Sequence, residues 1–100
     1  MAGIKELAAS NINEPADAIA CFDLGMIHSA GAGVAVDMVA AHQWFNIAAA
    51  RGHQDGARLR REIAEQMSDA EIGLAQRAAR DWLKAHPLAP VQETPIRVAA

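Results

Sequence analysis

The chain is poor in the residues from which most chemical sites are built. A single cysteine, Cys21, stands among 100 residues, which excludes an intramolecular disulfide framework and suits a reducing compartment. Tyrosine is missing, and the only aromatics are two tryptophans and two phenylalanines. With few β-branched runs and abundant alanine, that shortage weighs against sheets and in favour of helices. There is no excess of basic residues either: the net charge is −3 and the pI is about 5.7. Nucleic-acid backbones are bound by clustered lysine and arginine, so a mildly acidic chain is a poor starting point for that function. No apolar run reaches membrane-spanning length, and the opening MAGIKELAASNINE holds no uninterrupted apolar stretch of signal-peptide length. A cytoplasmic protein without a membrane partner is expected.

What is present is helical punctuation. At this length the chain forms one domain with a modest core. The expected division is an N-terminal segment over 1–13 (a short helix or a tail, with Ile4, Leu7 and Ala8 on one face), a helical domain over 14–86, and a flexible or extended tail over 87–100. The first helix starts behind Asn13 or Glu14, with Pro15 in its first turn where a missing N–H is no loss. Asp17 then complements the helix dipole. Its inward face reads Ala20, Cys21, Leu24, Gly25 and His28. Gly25 in a helix interior costs about 1 kcal/mol against alanine, so a neighbouring helix is expected to cross closely there. Gly31 suits a left-handed cap, and Asp37 caps a second helix from Met38 to about Arg51, with Ala41, Trp44, Phe45, Ala48 and Ala49 inward. Gly52 closes it. A third helix is expected over Gln54 to Met67. Ser68 and Glu71 form a capping box for a fourth, from Asp69 to about Lys84, with Ile72, Ala75, Ala79, Trp82 and Leu83 inward and Pro87 as the stop.

The ordered set Leu24, Gly25, Gly31, Gly33, Val34, Asp37, Ala41, Trp44, Ala48 and Gly52 resembles the Sel1-like repeat, a relative of tetratricopeptide repeats. The likeness covers about a third of the chain. It implies an all-α fold of antiparallel helical hairpins in the manner of an α-solenoid, and a role as a non-catalytic protein–protein interaction module or small adaptor. Each position also has a physical reason: the paired glycines turn the chain, Val34 tucks into the end of the hairpin, Asp37 caps, the alanines make room and Trp44 fills the groove. Two departures stand out. His28 replaces the usual tyrosine, and Gly56 falls where a following repeat opens with alanine. An Ala-x-x-Trp-apolar echo recurs at Ala41–Phe45 and Ala79–Leu83, its tryptophans offset by 38 residues (44 to 82). That is about one repeat of this class, so the third and fourth helices are expected to form a divergent capping hairpin.

Candidate chemistry is thin. His28, His42 and His53 lack the close spacing of a metal site, and His42 is expected at the edge of the second helix. Cys21 has no arginine or histidine within a turn to activate it. No cofactor, metal or catalytic set is expected, and the reading is not an enzyme. The candidate partner-binding residues are Asp23, Met26 and Ile27 on the first helix and the arginines Arg51, Arg58 and Arg61, with another protein as partner. Self-association through an open repeat end is also expected. The alternatives are a small helical nucleic-acid binder using the arginine cluster, and a regulatory subunit or inhibitor of an enzyme.

Overall fold

In the computed structural model of the chain, residues 17–87 are described. The segment 1–13, the proposed helix start at Pro15 and the tail beyond Pro87 lie outside them. The described residues form four α-helices and no strand: α1 (Ala18–Ala30), α2 (Met38–Ala50), α3 (Gln54–Ala64) and α4 (Asp69–Ala85).

Local chemistry sets most of the boundaries. Asp17 is the N-cap of α1, with extended backbone and a carboxylate that accepts the Ala20 N–H at 2.8 Å. It therefore caps the helix and does not sit inside its first turn behind Asn13 or Glu14. At the other end Gly31 adopts φ 73° and ψ 34°, a conformation that costs a Cβ-bearing residue. The N–H groups of Gly31 and Ala32 both donate to the Ile27 carbonyl, at 2.9 and 3.1 Å. The Asp37 N–H then donates to the His28 carbonyl at 3.0 Å, and the Asp37 carboxylate accepts from Ala40 at 3.0 Å to start α2. Because backbone bonds close this turn, Val34 need not plug the hairpin, and it is 45% exposed.

His53 caps α3, its Nδ1 accepting the Gly56 N–H at 3.2 Å. The helix stops at Ala64, short of Met67, because the N–H groups of Glu65, Gln66 and Met67 reach back only three residues, to Glu62, Ile63 and Ala64. Such tightening is how many helices end. The Ser68–Glu71 capping box starting α4 is formed in both directions, at 3.1 and 2.8 Å.

The helix α2 is the hub. It packs extensively on α1, on α3 and on α4, while α1 touches α3 slightly. The expected capping hairpin is not formed, because α3 and α4 each pack on α2 and hardly on one another. One core cluster joins Cys21 of α1, Ile47 and Ala48 of α2 and Ala79 of α4. A second joins Ala41 and Phe45 of α2 with Ile63 of α3. Covered from several sides, α2 buries more than a single stripe. Ile47 is fully buried, and His42 is 2% exposed and so lies in the interior, not at an edge.

Two glycines set the helix spacing. A Cβ on Gly25 would lie 2.5 Å from Cδ1 and Cε1 of the Phe45 ring. One on Gly56 would lie 3.0 Å from the Ala48 Cβ and 3.1 Å from the Phe45 carbonyl oxygen. The Gly25→Ala variant should therefore lose about 1–3 kcal/mol of unfolding free energy through overpacking, in spite of its better helix propensity. At Gly73 an added Cβ meets only the tip of Arg77, at 3.3 Å, so Gly73→Ala should gain up to about 1 kcal/mol. Urea titrations followed by circular dichroism compare the two directly, and equal effects would show that Phe45 does not define the α1–α2 distance.

Candidate functional site

Six residues were candidates for partner contact, and the fold separates them into three groups. Asp23 and Met26 are exposed on α1, and Met26 is 43% open. With Ile19, 65% exposed, they recur at four- and three-residue steps, which places them on one outer helix face. Ile27 lies off that face, half-buried, and its carbonyl serves the α1 cap.

The arginines do not form one patch. Arg58 is exposed but neutralised on its own helix by Asp55 at 3.2 Å and Glu62 at 3.3 Å. Its pKa is raised by the hydrogen bond and charge of Asp55 first, with Glu62 adding to it. Arg61 is exposed on α3. Arg51 belongs to the interior scaffold. Its guanidinium lies 5.0 Å from the Trp82 ring centroid, and Nη2 donates to the His86 carbonyl at 2.6 Å. Trp82 stacks on the His86 ring at 4.1 Å and meets Trp44 edge-on at 5.3 Å. The two tryptophans of the sequence echo thus touch, and Arg51 clamps the end of α2 to the end of α4.

The histidines are similarly committed. His53 caps α3 and stacks on Phe22 at 4.3 Å. His42 has a buried Nδ1 with no hydrogen-bond partner, and its pKa is held below the ordinary value, first by burial and then by the charge of Arg60. Burial pushes the Cys21 thiol up, with Arg51 opposing from α2 and Asp17 adding to the rise. An arginine therefore does act on Cys21, from a neighbouring helix, but burial outweighs it. Among the described residues no three His, Cys, Asp or Glu side chains come together, and no helix is long and apolar enough to cross a membrane.

A concavity lies elsewhere on the described residues. An open groove of about 510 Å³ follows α4 where it leaves α2, lined by Asn46, Gln76, Ala79, Arg80, Leu83 and Lys84. Arg60 reaches from α3 to the Asn46 side chain, donating to Oδ1 at 2.8 Å, which leaves the Asn46 amide N–H groups for another acceptor. Arg80 and Lys84 are exposed one turn apart, and neither is in an ion pair with a described residue. Neither was singled out from the sequence. The available signal was the spacing Gln76, Arg80, Leu83, Lys84, which falls on one helical face.

Comparison of the chain with protein-family models, curated proteins and solved structures gives no match in any of the three.

Two measurements check these assignments. Arg51→Ala should lower the unfolding free energy by about 1–3 kcal/mol, from a lost charged hydrogen bond and ring contact, whereas Arg58→Ala should leave the urea midpoint unchanged, as exposed pairs usually do. The reverse order would return Arg51 to the surface. For His42 the depressed folded-state pKa means that the unfolded chain binds the proton first. Its stability contribution is complete above about pH 6.5 and is lost as pH falls through the lower folded-state value. Urea stability should decline from about pH 7.5 to about pH 5, and His42→Leu should flatten that decline. An unchanged pH slope would assign the decline to other groups.

Proposed function

We propose that the chain is a non-catalytic protein–protein interaction module of the Sel1-like, tetratricopeptide-related kind. The observation that carries this reading is the α1–α2 hairpin. The Sel1-like residues Gly25, Gly31, Asp37 and Trp44 take close-packing, turn, capping and groove-filling positions, and the side chains left outward belong to the surface. Those outward positions carry contact chemistry on a rigid support, which is how helical repeat scaffolds recognise partners. The exposed apolar positions Ile19 and Met26 on α1 supply anchors of the type that dominates such contacts, and they are also the surface through which a second copy would stack.

A role in nucleic-acid binding through Arg51, Arg58 and Arg61 has less support. Arg51 is engaged with Trp82 and His86, Arg58 with two carboxylates, and only Arg61 of the three is left for a phosphate. A regulatory subunit or inhibitor would use the same surfaces as an adaptor and differs only in what its partner does.

The test is affinity capture with the full chain, run beside a fold-breaking Gly25→Trp variant whose indole cannot fit against Phe45. The wild type should retain a discrete set of proteins that the broken fold does not. Identical retained sets for the two would remove the interaction-module reading.

A further inference from the structure

We infer that the groove along α4 is a docking site for an acidic amphipathic segment of a partner protein, held by Arg80 and Lys84 over an apolar floor. The inference rests on the interaction-module reading and specifies the partner chemistry of one face.

The lining divides by position. Ala79 is buried and Leu83 half-buried at the base, while Gln76, Arg80 and Lys84 are exposed along the edge. From Gln76 to Lys84 the edge runs about 12 Å at the helical rise of 1.5 Å per residue, or about two turns. Two cations one turn apart match two carboxylates one turn apart on a helical ligand. An apolar side chain between those carboxylates would reach Ala79 and Leu83. The Asn46 amide, its oxygen already taken by Arg60, offers N–H donors to a carboxylate and none of the repulsion that a second acceptor would bring.

Charge distinguishes this groove from the surface around Arg58. No carboxylate lines it, although the chain as a whole is acidic at −3. The more obvious cation, Arg58, is already neutralised by its neighbours. The groove is open and not enclosed. A small ligand gains affinity by burying most of its surface, which an open groove does not provide, whereas a peptide brings its own hydrogen-bonded backbone and needs only anchors and a charged rim. A nucleic acid would be drawn to the two cations but repelled by the net negative charge.

The test uses fluorescence anisotropy with the full chain and a labelled helical peptide carrying one leucine between two glutamates spaced one turn apart. Saturable binding is expected, weakening as salt rises. Arg80→Glu/Lys84→Glu should weaken it at least tenfold and Arg80→Gln/Lys84→Gln by less. A peptide with glutamines in place of the glutamates should bind at least tenfold more weakly. Both pairs of substitutions sit at exposed positions, and circular dichroism checks that the helices persist.

No saturable binding, or binding indifferent to the charge reversal, overturns the inference. So does a single-stranded oligonucleotide that binds as tightly as the peptide and is lost with the same substitutions. Self-association abolished by the double reversal would give the groove to a second copy and overturn it too. If capture from lysate retains the same discrete protein set with wild type and Arg80→Glu/Lys84→Glu, the module reading stands and the groove assignment falls.

Discussion

Phe45 fixes the spacing of three helices at once. Its ring lies where a Cβ of Gly25 would otherwise project, and its carbonyl oxygen lies where a Cβ of Gly56 would. One residue of α2 therefore sets the approach of α1 through its side chain and of α3 through its backbone. An alanine-rich chain has few bulky groups with which to fill gaps, so its helices must come close, and close approach requires glycine at the crossing points. The helical entropy lost at Gly25 is offset by dispersion contacts with a fully buried ring.

The scarcity of aromatics bears on the same arrangement. All four aromatic residues take part in two short chains of ring contacts. Phe45 meets Phe22 at 5.5 Å, and Phe22 stacks on His53, so the rings run from α2 through α1 to the cap of α3. Trp44 meets Trp82, which stacks on His86 beneath Arg51, so the second series ties α2 to α4. Histidine completes each series where a further aromatic would otherwise be needed. His53 and His86 are thus structural parts, and His42 lies buried on α2.

What could be read from the sequence was local. The Gly31 cap, the Asp37 cap, the Ser68–Glu71 box and the close approach at Gly25 each depend on residues within a turn or on a missing side chain, and a linear chain displays those. What could not be read depends on where α4 goes. Ile47 and His42 are buried because α2 is covered from several sides, which no single helical stripe announces. Arg51 looked like part of a basic run because its partners, Trp82 and the His86 carbonyl, lie 31 and 35 positions away in a helix assigned to a different hairpin. Pro15 suggests an earlier start with Asp17 inside the first turn, yet the Asp17 carboxylate caps the helix itself. A pair of cations on a helix is ordinarily a solvated surface, and only the space beside Arg80 and Lys84 distinguishes these two.

That space is edged by Arg80 and Lys84, which are exposed and outside any ion pair with a described residue. Burying an unpaired charge costs several kcal/mol, about as much as burying two or three aliphatic side chains contributes. A purely apolar group laid over Ala79 and Leu83 would meet that cost at the two cations, because no carboxylate is among the groove's lining residues. The one polar side chain that α2 adds to the lining, Asn46, has its oxygen engaged by Arg60 of α3 and presents N–H donors as well. A groove edged by unpaired cations is therefore filled most favourably by a group that brings negative charge together with apolar surface, and the same two side chains define what can lie there.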